Sequence, residues 1–399
     1  MIRLFAILTL LFAAAPAAAE PLMLGIDVLL SERGEELAGK HIGLVTNAAA
    51  IDGDYRSTLD RLAEASGVHL VALFGPEHGV RGDAQAGAHI ADAHDAATGL
   101  PVYSLYGATR EPSAAMLAGI DLIIIDLPDV GARTYTYAAT VIGVLRAAQR
   151  AAIAVMLLDR PNPIGGVTVE GPMLDPAFAS FVGPFPMPMR HGMTMGELAR
   201  LFNTELAIGA ELHLVSMRGW QRSDGAAGPW VPPSPNLPTR DSALAYPGMV
   251  LVEGTNLSEG RGTTRPFEMI GAPYIDPAAL AAAMNARRLP GVRFRGLWFT
   301  PTSSKYAGTR VGGVQVHVTD RSAYRPVHTA VALLQVVAQA YPDDFRIEGD
   351  NPAFFERLAG NGWLRGAVMT GEAWQRIEAR DTEAMARFMA QREAALLYR

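Results

Sequence analysis

The 399-residue chain contains no cysteine, which excludes disulfide staples, thiol catalysis, thiolate metal sites and a lipid-modified cysteine behind a signal segment. Lysine is almost as scarce: Lys40 and Lys305 are the only two, and every other basic side chain is arginine. With 34 basic against 40 acidic residues and a net charge of −6, the chain has no global footprint for nucleic acid. Beyond the first residues, no run of about 20 uninterrupted apolar residues occurs, so no membrane anchor is expected. The G-x-S-x-G elbow, the Walker phosphate loop and H-E-x-x-H are also missing. Gly360-Asn361-Gly362 lacks the strand and spacing of a dinucleotide fingerprint, and no cofactor is expected.

What is present begins with an export signature. Arg3 supplies a positive start, Leu4 to Ala15 an apolar run, and Ala17-Ala18-Ala19 a small-residue cleavage site before Glu20. Residues 1–19 are therefore expected to be a signal peptide of a periplasmic or secreted protein. The remainder exceeds one typical hydrophobic core, so two domains are expected, over 20–243 and 244–399. In the first, the apolar runs Ile42–Val45, Leu70–Phe74, Leu122–Ile125 and Ile153–Leu158 alternate with helical segments at Tyr55–Ser66, Ser113–Gly119 and Thr140–Ala151. That pattern predicts an α/β fold with a doubly wound parallel sheet, because strands covered on both faces read as near-continuous apolar runs. In the second, Met249–Val252 and Val314–Val318 read as strands, and Pro326–Tyr341 and Thr370–Tyr398 as helices, giving a smaller α+β domain.

Three strand ends carry chemistry. The run to Phe74 breaks into Gly75-Pro76-Glu77-His78-Gly79; the next ends in Asp126, Asp129 and Arg133 with Tyr135 and Tyr137; the third ends in Asp159-Arg160-Pro161-Asn162. In open α/β sheets, ligands bind in the crevice beyond the carboxyl ends of the strands. Asp126 and Asp129 suit sugar hydroxyls or a water, Arg133 an anion, and the tyrosines a sugar face. Asp159 and Arg160 read better as a structural clamp, with Asn162 more open. Arg190 and His191 precede Thr194 and Glu197, a capping-box pair at a helix start that would suit an anion. In the second domain, a glycine-interrupted loop carries Glu253, Asn256, Glu259, Arg261, Arg265 and Glu268, placed to wall the other side of a cleft. A metal reading rests on His89, Asp92, His94 and Asp95, optionally with His78, in a spacing that matches no strong motif.

Taken in order, Gly75–Gly79, Asp126–Arg133, Asp159–Pro163, Arg190–Thr194, Pro232–Thr239 with Asn236, and Glu253–Asn256 through Arg265–Glu268 resemble the exo-β-N-acetylmuramidases of the NamZ type. The resemblance runs through nearly the whole mature chain. It implies a Rossmann-like N-terminal domain with a doubly wound parallel sheet, a smaller C-terminal α+β domain, and a cleft between them that releases N-acetylmuramic acid from the non-reducing end of peptide-free peptidoglycan fragments, in cell-wall turnover or recycling. The partner is then a peptidoglycan-derived saccharide, and the oligomeric state is left open.

Glycoside hydrolysis needs an acid for the leaving oxygen and a second group at the anomeric carbon. Glu77 is the expected acid, with His78 tuning or orienting it. The second group is drawn from Asp126, Asp129, Glu253, Glu259 and Glu268, or is the substrate's own acetamido group; Asp129 and Glu259 are placed in the catalytic set. Asn47, Asp126, Arg133, Tyr135, Tyr137, Asn162, Arg190, His191, Asn236, Glu253, Asn256, Arg261, Arg265 and Glu268 are expected to bind substrate. The lactyl carboxylate would be gripped by Arg133, Arg190 or an arginine of the second domain. Two alternatives are a metal-dependent cell-wall hydrolase or esterase and a non-catalytic periplasmic sugar-binding protein.

Overall fold

The central sheet is built from apolar strands whose alternate residues enter two different cores. In a computed structural model that describes residues 20–82, 87, 92–225, 227–347 and 353–399, Leu122 and Ile124 face one layer and Ile123 and Ile125 the other. The strands are β1 (His41–Thr46), β2 (His69–Gly75), β3 (Ala93–His94), β4 (Pro101–Ser104), β5 (Leu122–Asp126), β6 (Ala154–Leu158), β7 (Glu170–Met173), β8 (Pro188–Arg190), β9 (Leu212–Val215), β10 (Met269–Ala272), β11 (Val292–Phe299) and β12 (Val311–Val318). The helices are α1 (Gly25–Glu32), α2 (Thr58–Glu64), α3 (Tyr137–Ala151), α4 (Met195–Glu205), α5 (Arg240–Met249), α6 (Pro277–Ala286), α7 (Pro326–Ala340), α8 (Phe354–Ala359), α9 (Leu364–Thr370), α10 (Trp374–Ala379) and α11 (Thr382–Ala395).

Seven strands order as β3-β4-β2-β1-β5-β6-β9, all parallel except the β3–β4 pair. The chain winds outward from β1 through β2 and then returns to the other side of β1 as β5. That reversal leaves a crevice between the carboxyl ends of β1 and β5, the place where such sheets bind ligands. A smaller lobe holds the antiparallel sheet β10-β12-β11, on which α6 packs, with α7 against α5, α6 and α9. The expected two-domain α/β architecture is therefore present.

The two lobes share one apolar core. Phe74 and Val141 of the first belong to the same buried cluster as Leu244, Val252, Ile270 and Val331 around and within the second. An apolar seam of this kind holds lobes in one arrangement, unlike the polar interfaces that permit hinge motion.

Some expected elements differ. Met249–Val252 is not a strand but the end of α5 running into a 3₁₀ turn over Val250–Gly254; a short apolar run fits a buried helix end as well as a strand. Ser113–Gly119 forms turns rather than a helix. The long helix expected over Thr370–Tyr398 is divided into α10 and α11, behind Gly371 in the left-handed conformation.

Candidate active site

Glu77 sits on a tight turn at the end of β2. Gly79 N donates to Pro76 O at 2.9 Å, and His78 and Gly79 both take positive φ, at 74° and 75°. A histidine there costs about 1 kcal/mol or more relative to ordinary backbone, which neighbouring contacts must hold in place. Asn47, from the end of β1, donates to Gly79 O at 3.4 Å while its Oδ1 accepts from Ala49 N at 2.9 Å. Tyr137 OH donates to the Glu77 carbonyl at 3.0 Å.

The half-buried Glu77 carboxylate accepts from Gly87 N at 3.0 Å through Oε1 and from Thr136 Oγ1 at 2.8 Å through Oε2. The Tyr106 hydroxyl lies close to it. No basic side chain pairs with it among the described residues.

Asp129 lies across the crevice at the end of β5. Its Oδ2 accepts from Gly131 N at 2.7 Å and meets His191 Nε2 at 3.2 Å. His191 Nδ1 accepts from Met193 N at 3.2 Å, which leaves the ring proton on Nε2 and points it at Asp129. Asp129 Oδ1 is buried and has no hydrogen-bond partner. The residue lines a crevice with Ala49, Ile51, Pro128, Trp230 and Pro233, beneath the proline-rich stretch before α5. Tyr135 lies within the field of both carboxylates. Its hydroxyl donates to Pro233 O at 2.8 Å, and its pKa is raised first by burial and further by Tyr137, Asp129 and Glu77.

A file of aromatic rings leads on into the second lobe. Tyr135 lies 4.5 Å from Tyr137 and 6.5 Å from Tyr246, which in turn lies 4.9 Å from Phe267, centroid to centroid. Burial, then the charge of Glu253, pushes the Tyr246 hydroxyl upward. At the far end Arg261 binds Glu253 at 2.8 Å and Glu259 at 3.3 Å, and Lys305 reaches Glu259 Oε2 at 3.3 Å. The Lys305 ammonium also donates to the carbonyls of Val252, Glu253 and Leu257 at 3.0–3.1 Å.

Comparison with known proteins matches this architecture along its length. A family model for the N-terminal part of the exo-β-N-acetylmuramidase NamZ matches residues 42–241, and one for its C-terminal part matches 244–398. The chain belongs to the NamZ family. It is 47% identical over 377 residues to the peptidoglycan β-N-acetylmuramidase NamZ of Bacillus subtilis, covering 94% of this chain and 91% of that one. Two crystal structures of DUF1343 family proteins from Bacteroides fragilis superpose with TM-scores of 0.86 and 0.77, at 36% and 30% identity, each covering 95% of this chain and 99% of its own.

Several residues that the sequence of this NamZ-family chain offered for substrate are built into its frame. Arg133 is fully buried and donates to the carbonyls of Pro172, Met187 and Leu358 at 2.9–3.0 Å; burial pulls its pKa down to about 9. Asp126 is held by two nitrogens of Arg160 and by Thr58. The clamp thus joins Arg160 to Asp126, where adjacency in sequence had suggested Asp159. Asp159 instead accepts from Thr194 Oγ1, Gly196 N and Tyr398 OH at 2.7–2.8 Å, so a protein carboxylate already fills the start of α4. Burial pushes its pKa up to about 6.

Asn162 bonds Met193 O and Ile164 N within the core. Arg190 donates to Ile164 O at 2.6 Å beneath the surface. Asn256 ties Tyr274, Asp344 and Arg346 together, and Glu268 pairs with Thr239 at 2.8 Å and Arg265 at 3.4 Å. Asn236 is half-buried on the loop before α5, its backbone N–H donating to Ser234 Oγ at 3.3 Å.

Of the metal-reading residues, His89 lies outside the described residues, His94 is exposed on β3, and Asp95 is bound by Arg81 at 2.8 Å. No group of three or more ligand-type side chains gathers among the described residues. Sequence reasoning missed Thr136, Tyr106, Tyr246 and Lys305. Only Lys305 gave a signal, as one of two lysines in the chain.

Proposed function

We propose that this glycoside hydrolase of the NamZ family releases N-acetylmuramic acid from the non-reducing end of peptide-free peptidoglycan fragments, with Glu77 as acid and Asp129 as the second carboxylate. The observation that carries the assignment is the contrast in partners at the crevice. Glu77 has only amide and hydroxyl donors and Asp129 only an amide and an imidazole, whereas Asp126, Glu253, Glu259 and Glu268 are each paired with an arginine or lysine.

Oε2 of Glu77 is the oxygen suited to carry the proton. Its partner there is the Thr136 hydroxyl, which can rotate to accept, while the Gly87 amide at Oε1 can only donate. Glu77 then protonates the glycosidic oxygen as the C–O bond breaks, and the bonding electron pair leaves with that oxygen. Asp129, aimed by His191, supports the positive charge that develops at the sugar or at its acetamido group. Water adds its oxygen to the anomeric carbon, and its proton returns to Glu77.

We further propose that the protein is exported, residues 1–19 being removed, and works on wall material during turnover or recycling. The export-type composition of that segment supports this. The decisive assay incubates purified protein with a chromogenic β-MurNAc glycoside beside its β-GlcNAc counterpart. Release from the first is expected, and release from neither would sink the proposal.

A further inference from the structure

Every cation of the aromatic file and the second-lobe loop is already engaged. Arg133 is spent on carbonyls, Arg261 on two glutamates, Lys305 on three carbonyls and Glu259, and Arg265 on Glu268. One arginine near Glu77 differs. Arg110 is exposed, and among the described residues its guanidinium has neither a carboxylate nor a carbonyl partner; its contact is with a ring. Its neighbour Glu111 is turned away to Arg150 at 3.3 Å.

The ring is Phe181, from the connection between β7 and β8, with the Arg110 Cζ 4.7 Å from its centroid. Phe181 packs in turn on Tyr106 at 6.0 Å between centroids. Tyr106 belongs to the loop after β4, where Leu105 N donates to Gly75 O at 2.8 Å and Tyr106 N to Ser104 Oγ at 3.3 Å, so it stands beside the Glu77 turn. Its hydroxyl lies within the fields of both Glu77 and Arg110; burial and then the Glu77 charge raise its pKa to about 12, against the pull of Arg110.

The loop is seated as well as placed. A Cβ on Gly143 of α3 would fall 2.7 Å from Arg110 O, so the absence of a side chain there lets the loop press against the helix. Stacking holds a guanidinium plane in position while its N–H edges stay open to a planar anion.

We propose that Arg110, stacked on Phe181 beside Tyr106, reads the lactyl carboxylate of the muramoyl residue whose glycosidic oxygen lies at Glu77. This rests on the muramidase reading above and identifies the residue that gives the site its preference. The carboxylate of the lactyl group is the one negative charge that separates N-acetylmuramic acid from N-acetylglucosamine. A bidentate arginine–carboxylate pair at the rim of a cleft is suited to discriminate between them.

The test compares the wild type with Arg110→Gln, Arg110→Lys and Phe181→Leu. Removing one charge-assisted pair is expected to raise KM for the β-MurNAc glycoside by about 10- to 100-fold with kcat nearly unchanged. Lysine should restore part of the loss, and Phe181→Leu should weaken binding less than Arg110→Gln. Calorimetric titration with free N-acetylmuramic acid and free N-acetylglucosamine gives a second readout: the wild type should prefer the acid and Arg110→Gln should not. If Arg110→Gln keeps both the KM and the preference of an active wild type, the proposal is overturned and the muramidase reading stands. If the wild type neither cleaves the muramoyl glycoside nor prefers the free acid, both fall together.

Discussion

The two sides of the aromatic file use the same residue types for opposite ends. On the first lobe Glu77 and Asp129 are held by amides, hydroxyls and one imidazole, and Asp129 keeps an oxygen without a partner. On the second, Glu253 and Glu259 are locked to Arg261 and Lys305, and Lys305 also grips the backbone. A carboxylate paired with a cation must give up that ion pair to take on a new role, whereas one held by neutral donors has no ion pair to lose. The partner set, more than position in the cleft, separates reacting carboxylates from structural ones.

The sharpest way to break this contrast is Glu77→Gln, which should lower kcat by about 10³-fold or more while leaving N-acetylmuramic acid binding within a few-fold, as expected for loss of a general acid. Retained turnover would place the acid elsewhere. Asp129→Asn should cost about 10²-fold in kcat with a cooperative thermal transition preserved; an unchanged kcat would move the second role to Glu253 or Glu259.

Lys305→Met tests the other side. It should cost about 2–3 kcal/mol of stability, toward the low end for broken buried pairs because the ammonium is partly exposed, while kcat of the folded fraction changes by less than about fivefold. A kcat loss that matches Glu77→Gln would erase the distinction between the sides.

A subtler test uses Glu170, which belongs to neither side. It accepts from His328 N at 2.8 Å at the start of α7, faces Arg190, Arg325 and the Tyr324 hydroxyl, and is pushed up to about 7 by burial. Because the folded protein holds this proton more tightly than the unfolded chain, Glu170 weakens the fold as pH rises from about 4.5 to about 7, by up to about 3 kcal/mol. Glu170→Gln should therefore gain on the wild type in denaturant midpoint as pH is raised from 5 to 8. A constant difference across that range would show that the carboxyl does not titrate there.

How far the sequence reached depended on locality. The strands β1, β2, β5 and β6 were legible because a parallel strand covered on both faces must be apolar along its length. The turn at Glu77 and the capping box at Thr194 and Glu197 were legible because their signals fit within a few residues. Partner identity was not. Arg133 looked like a ligand-gripping arginine until chain closure brought it Leu358 O, 225 residues away. Asp126 finds Arg160 because β5 and β6 are neighbours in the sheet, which no spacing along the chain reveals. Tyr106 and Phe181 carry no motif and meet only through the folded loops.

The bond from Tyr398 to Asp159 bears on the order of synthesis. Asp159 lies at the end of β6, and its neighbour Glu197 accepts from the amides of Leu397 and Tyr398. Both carboxylates sit under the strand ends that carry the chemistry, and neither has its full set of donors until residue 398 has left the ribosome. A nascent first lobe would hold two buried acids short of partners, a state that resists final packing. The first lobe thus completes its buried packing only when Leu397 and Tyr398 dock on it.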